Sequence, residues 1–296
     1  MTTRQPASVL VGTLPIDDGA QVFYAKDQQF FSRAGIDVNI RAMANGPDIV
    51  AAAAAGDIDV GFSNLFALAA AFTRGVQLRL IAPGQLFNAL AQSLAIIVLT
   101  DAPYRTGKDL NGKKIGVRVP HSLVGVGAKA WVDQYGGDSN TIQLVSLPGE
   151  RHAEALEQGE VDAVSTSLTD VPVPENGTKR IIGYPTHAIA PGFIGAGWYA
   201  RTDWIEAHRD VACRYAEAIV QAGRWANAHQ TESGQILMKY THLSPEGLAA
   251  ISKHRVRYGE VLDPALIDPL IAVAARYKVI PRVFPAHELV AANLYP

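Results

Sequence analysis

GDIDVGFSN (Gly56 to Asn64) and GEVDAVSTS (Gly159 to Ser167) are two versions of one nine-residue phrase, set about a hundred residues apart. In each, a helical run (Pro47 to Ala55; Glu150 to Gln158) stops at a glycine able to take the left-handed cap conformation. A two-residue acidic turn follows, then a short apolar strand (Ile58 to Gly61; Val161 to Val164) and a loop bearing hydroxyl or amide side chains. Two such helix-to-strand units imply two similar α/β lobes, each presenting Ser, Thr or Asn beyond the carboxyl end of a strand. Open α/β sheets place ligands there, so the repeat points to a small molecule held between two lobes.

Outward from the first copy, Val9 to Gly12 reads as a buried strand and Gly19 to Ala34 as a helix carrying Val22, Phe23, Phe30 and Phe31. Ile36 to Ile40 alternates apolar and polar residues as a half-buried strand does. The helix from Pro47 is capped by Asn45 or Gly46; a helix over Leu65 to Thr73 and a strand over Gln77 to Ala82 complete a βαβαβαβ order, which belongs to a mostly parallel sheet. The apolar run Leu94 to Leu99 is the expected crossover into a second lobe. There, strands are predicted at Lys113 to Val119, Ile142 to Val145 and Arg180 to Gly183, with a helix over Leu123 to Tyr135. VPVPENGTK (Val171 to Lys179) is a loop. Phe193 to Tyr199 reads as the return crossover, so that residues 1–95 and 195–296 form lobe one and 96–194 lobe two. From Asp210 the chain is helical, with Val211, Tyr215, Ile219, Ala222 and Trp225 on one face, a tail expected to pack back on lobe one.

At 296 residues the chain has room for two cores. Nearly half of it is apolar, and its formal charge of −2 gives no general attraction to nucleic acid or anionic membrane. The single cysteine, Cys213, excludes an internal disulfide and a thiolate metal cluster, and reads as a small buried residue of a helix. No apolar run approaches the roughly 20 residues of a membrane span. MTTRQPASVLVG enters a strand at once without an apolar signal core. The expected location is either the cytoplasm or, if an export signal was trimmed, the periplasm or an extracytoplasmic lipid anchor.

Several of these phrases resemble those of the substrate-binding proteins of ATP-driven (ABC) importers for nitrate, alkanesulfonates, taurine and thiamine pyrimidine precursors. FYAKDQQFFSRAGIDVNI (Phe23 to Ile40) is similar to that family's first helix and second strand, with Gln29 where Gly is commoner; GPDIVAAAAAGDIDVGFSN and DLNGKKIGV (Asp109 to Val117) are similar to later units. The resemblance covers about residues 8 to 170. It implies a two-lobed α/β fold of the type II periplasmic-binding-protein class, with two crossover strands as a hinge and a cleft that closes over the ligand. It further implies a membrane permease as partner, a monomer, and capture of a small organic anion or heteroaromatic such as a sulfonate, carboxylate or pyrimidine. The same fold also hosts enzymes, among them an aromatic sulfinate desulfinase with a cysteine nucleophile. A cytoplasmic lyase or hydrolase for an aromatic acid, with His121 as base, is therefore the alternative to a non-enzymatic receptor.

The candidate ligand residues follow from the strand ends. VPHSLVG (Val119 to Gly125) ends a strand and opens a helix, whose free amides suit an anion; His121, Ser122 and Leu123 are its side chains, and N-capping by Ser122 is the structural alternative. Ser63 and Asn64 follow the first repeat strand, Thr166 and Ser167 the second, with helix capping as the other role for each pair. Thr13, Leu14, Pro15 and Asp17 form the loop after the first strand, where Asp17 either binds an amine or caps the next helix. Asn45 joins them at the start of the helix from Pro47. Among Arg41, Arg118 and Arg151, Arg118 stands out because it interrupts an apolar strand just before the anion loop. Phe87 and Phe193 either wall an aromatic ligand or pack the hinge. GAGWYA (Gly195 to Ala200) opens no βαβ unit, GFSNL lacks the second glycine of a nucleophile elbow, and the eight histidines show no metal spacing. No cofactor or metal is expected, and NGT at Asn176 is a sequon of chance frequency.

Overall fold

The computed structural model describes residues 6–88, 92–168, 170–173, 177–241, 243–292 and 294. Asn176 and part of the Val171 to Lys179 loop lie outside these residues. β1 (Ala7–Thr13) leads through α1 (Gln21–Asp27) and α2 (Phe30–Arg33) to β2 (Ile36–Ala42), followed by α3 (Gly46–Ala55), β3 (Val60–Asn64), α4 (Leu65–Thr73) and β4 (Leu78–Pro83). The short β5 (Leu86–Asn88) leads away from this lobe. β6 (Leu94–Leu99), β7 (Lys114–Val117), α5 (Leu123–Gln134), β8 (Gln143–Ser146), α6 (His152–Glu157), β9 (Ala163–Ser167) and β10 (Lys179–Gly183) build the second. β11 (Gly192–Ile194) returns, β12 (Ala196–Arg201) rejoins the first sheet, and α7 (Thr202–Ala207), α8 (Arg209–Ala228), α9 (Gln230–Tyr240), α10 (Pro245–Ile251) and α11 (Asp268–Arg276) form the tail.

Both lobes carry a five-stranded sheet of the same topology. The first runs β2-β1-β3-β12-β4 and the second β8-β7-β9-β6-β10. In each, the repeat strand is third, its neighbour on one side is parallel, and its neighbour on the other is antiparallel. Those antiparallel partners are the runs expected to be the crossovers. Leu94–Leu99 is a buried strand of the second sheet, opening with Leu94 opposite Ser167; β12 opens with Ala196 opposite Asn64. The link between lobes is instead the antiparallel pair β5 and β11, with Phe87 opposite Phe193. An apolar run of six residues has too much surface to bury to remain a bare linker, so it sinks into a sheet.

The two copies of the repeat play the same part in their lobes. Gly56 and Gly159 both sit at positive φ, 83° and 73°, and close their helices. The second acid of each phrase braces the first strand of its own sheet: Asp59 accepts from the Leu10 amide at 2.8 Å, and Asp162 from the Lys114 amide at 2.9 Å. The strands begin two residues later than their apolar pattern suggests, at Val60 and Ala163, so Ser63 and Thr166 lie within strands rather than in loops. The expected helix from Gly19 to Ala34 is broken at Gln29, which takes the left-handed conformation at φ 60°. That is the conformation a glycine adopts without steric cost.

Tail helix α8 lays Tyr215 and Ile219 into a core shared with Val9, Tyr24 and Trp198, while Ile271 of α11 packs with Leu68 of α4. The tail thus belongs to lobe one. The second sheet has a core on each face, one with Ile96, Ile115 and Trp131, the other with Ala95, Leu156 and Val164. No helix among the described residues is long and apolar enough to cross a membrane.

Candidate functional site

Between the lobes lies a cavity of about 720 Å³, within the range of small-molecule sites. Lobe one contributes the β1–α1 loop with Leu14, Pro15, Asp17 and Asp18, then Asn45 and Gly46 at the start of α3, and Asn64 and Arg74 around α4. Lobe two contributes Arg118, His121, Ser122, Thr166, Ser167 and Asp170, and the tail contributes His254 and Val256. Ten of the fifteen predicted residues therefore meet here: Leu14, Pro15, Asp17, Asn45, Asn64, Arg118, His121, Ser122, Thr166 and Ser167.

The other five do not line the cavity. Thr13 is buried and donates to the Gly19 carbonyl at 3.1 Å, fixing the β1–α1 loop. Ser63 points beneath Gly46, where a Cβ would meet its Oγ at 2.5 Å, and is fully buried. It lies inside β3 rather than in the loop beyond it, and there its side chain faces inward. Phe87 and Phe193 stack on each other, ring centroids 5.1 Å apart, as the packing of the crossover pair. Leu123 is buried in the apolar cluster beside them. Of the other cations considered, Arg151 is spent on Glu154 and Glu160, and Arg41 lies at the exposed end of β2.

Within the cavity the structure decides several alternatives. Asp17 neither caps α1 nor stands open to an amine: its carboxylate holds Arg255, with contacts of 2.6 and 3.0 Å, and accepts from the Val256 amide at 3.1 Å. Burial works against the Arg255 charge, but Asp17 raises its pKa above the ordinary value. Asn64 caps α4 through Oδ1 and Asn45 caps α3 in the same way. Ser122 does not cap α5; its hydroxyl donates to the Val119 carbonyl at 2.7 Å. The hydroxyl proton is thus committed, and the donors left for an anion are the first amides of the twelve-residue α5. Gly125 makes this turn possible, because a Cβ there would lie 2.2 Å from the Pro120 carbonyl.

Five polar residues of the site went unread in the sequence: Arg74, Asp170, Asp18, His254 and the buried Ser93. Arg74, at the end of α4, makes no side-chain hydrogen bond or ion pair among the described residues. Asp170 binds Arg118 at 3.0 Å through both carboxylate oxygens, and its Oδ2 lies 3.1 Å from Thr166 Oγ1. Gly149 seats this ion pair, since a Cβ there would strike both partners. Asp18 has no side-chain partner among the described residues; burial, with the charges of Asp17 and Asp170, pushes its pKa up to about 7. His254 arrives from the tail, its Nδ1 3.2 Å from the Gln92 carbonyl. Asp17-Asp18 was a visible signal of paired acids, but nothing local showed which of the two would be neutralised. No group of three or more metal-ligating side chains occurs among the described residues.

A family model described as NMT1/THI5 like matches residues 18–233. Among solved structures, the periplasmic aliphatic sulphonate binding protein SsuA of Escherichia coli superposes with a TM-score of 0.80 at 18% identity, covering 97% of this chain and 92% of that one. The alkanesulfonate-binding protein SsuA of Xanthomonas axonopodis pv. citri, bound to MOPS, gives 0.77 at 16% identity over 98% and 99%. The desulfurization enzyme DszB gives 0.70 at 14% identity over 97% of each chain. No curated protein sequence matches the chain. At such identities the likeness is one of fold, and the same fold serves receptors and an enzyme alike.

Proposed function

The chain belongs to the NMT1/THI5-like family, and from that premise we propose that it is a solute-binding receptor of an ABC importer. It captures a small organic anion or heteroaromatic, sulfonate-, carboxylate- or pyrimidine-like, by closure of its two lobes. The observation that carries this reading is the cavity itself, walled by matching strand ends of two lobes of identical topology and lined by polar side chains from both. Arg74 and the α5 terminus would hold an acidic group, and Asn64, Thr166 and Ser167 would supply further polar contacts. The β5 and β11 pair would serve as hinge, with lobes close to residues 1–95 plus 195–296 and 96–194. The monomer would work outside the cytoplasmic membrane and dock its closed form on a permease.

Cys213, the chain's one cysteine, lies on α8 and not in the cavity. An enzyme with a cysteine nucleophile at this cleft therefore has no support from its side chains. A thermal-shift screen of nitrate, taurine, alkanesulfonates, aromatic carboxylates and sulfonates, and pyrimidines tests the proposal. A solute at a hundredfold over its Kd stabilises by about 2.7 kcal/mol. A hit recovered unchanged supports a receptor; a hit that is consumed overturns it in favour of an enzyme.

A further inference from the structure

His152 opens α6, is fully buried, and does not line the cleft. Its Nε2 lies 3.1 Å from the Leu147 carbonyl. A carbonyl has no proton to give, so Nε2 carries the ring hydrogen in the neutral as well as the charged imidazole. Nδ1 lies 2.7 Å from Thr166 Oγ1, and that same oxygen lies 3.1 Å from Asp170 Oδ2. The hydroxyl has one proton for two acceptors.

The allocation of that proton is fixed by the ring. When the imidazole is neutral, Nδ1 is a lone pair at the shorter distance and takes the hydroxyl proton. Asp170 Oδ2 then faces an oxygen lone pair and keeps Arg118 as its donor, so its charge is less fully satisfied. When the imidazole is protonated, Nδ1–H donates to Thr166, whose hydroxyl then donates its hydrogen bond to Asp170. The charged groups facing the ring are Asp170 beyond β9 and Arg118 beyond β7. On its own helix and the preceding turn, Glu150, Arg151 and Glu154 are exposed, and Arg151 is paired to Glu154 and Glu160. The strand β6 brings only apolar residues to this core, among them Ala95 and Ile97.

We propose that His152 is a positioning residue of the cleft: through Thr166 it sets whether Asp170 meets a solute with Arg118 alone as its side-chain donor or with the Thr166 hydroxyl as well. This rests on the cleft being a solute site. A solute that brings an N–H or O–H donor to Asp170 binds more tightly when His152 is neutral, whereas one without such a donor is indifferent. Burial lowers the imidazole pKa below 6.5, with the Asp170 charge opposing, so the change falls on the acid side of neutrality.

The test needs no solute. In the full chain, the ring nitrogens of His152 and the carboxyl carbon of Asp170 are followed by NMR from about pH 4 to about pH 8, in the wild type and in Thr166→Ser and Thr166→Val. The expected result is an Nε2–H tautomer at high pH and a step in the Asp170 signal at the His152 midpoint. Thr166→Ser keeps that step, and Thr166→Val loses most of its amplitude. An Nδ1–H tautomer, an Asp170 signal without a step at that midpoint, or an equal step in Thr166→Val overturns the assignment. Should Thr166→Val not fold, the wild-type tautomer and step still decide. A failed solute screen would count against the receptor and leave these readings untouched, so the two failures are distinguishable.

Discussion

Replacing Asp18 with Asn should stabilise the protein at alkaline pH and change little near pH 4. Asp18 has its pKa pushed from the ordinary 3.8 to about 7, first by burial and then by the charges of Asp17 and Asp170. Between those values the folded chain binds a proton that the unfolded chain has released, so stability falls as pH rises through the window and stays low above it. At about 1.36 kcal/mol per pH unit the whole window is worth about 4 kcal/mol. Asp18 is partly open to cleft water, and screening reduces the expected gain of Asp18→Asn at about pH 8 to about 2 kcal/mol. Urea unfolding followed by tryptophan fluorescence, with m-values checked for constancy, should show a stability that declines from pH 4 to 8 in the wild type and is flatter in the variant. Parallel profiles for the two proteins would refute the reasoning. A residue that costs stability in the folded state is retained where function needs it, and at this position the need would be a donor or positive group on the solute.

Two further outcomes follow from contacts made by the tail. Arg255→Met should cost about 3–5 kcal/mol, because it leaves the Asp17 carboxylate without its buried partner; the urea midpoint measures it, and the double variant Asp17→Asn/Arg255→Met should recover part of the loss. Tyr277, just past α11, donates to Asp133 of α5 at 2.6 Å and thereby ties the tail to lobe two. That bond, with those from Ser139, outweighs burial and holds the Asp133 pKa below its ordinary value. Tyr277→Phe removes a bond to a charged group worth about 1.5–3 kcal/mol and should enlarge the radius of gyration in solution scattering as the open form gains population; an unchanged radius would show that the contact does not bias closure.

Much of the fold was legible because its signals are local. The cap glycines Gly56 and Gly159 need only their own helix, and the order of strands and helices follows from periodicity over a dozen residues at a time. What periodicity left out was the partner of each apolar run. Leu94–Leu99 reads equally well as a buried crossover or as a sheet strand, and only pairing with β9 and β10 separates the two. The two-residue displacement of β3 and β9 is of the same kind. The braces from Asp59 to Leu10 and from Asp162 to Lys114 anchor the turn, so each strand starts after its acid rather than before it.

The site was legible to the extent that it is made of strand ends. Asn64, Ser167 and the Arg118 to Ser122 loop could be placed by asking where each strand stops. The direction of a side chain at such an end depends on register, and one residue of slippage inverts it; Ser63 and Asn64 are adjacent, yet one is sealed under Gly46 and the other faces the cavity. Charge was harder still. Asp17 and Asp18 are neighbours of the same type, and their difference comes from Arg255, a residue 238 positions away. The cleft's electrostatics are therefore written by the tail and by the second lobe as much as by the loops. A sequence reading that assigned charge to the nearest motif could find the cavity, but it could not tell which acid in it would be left to meet a solute.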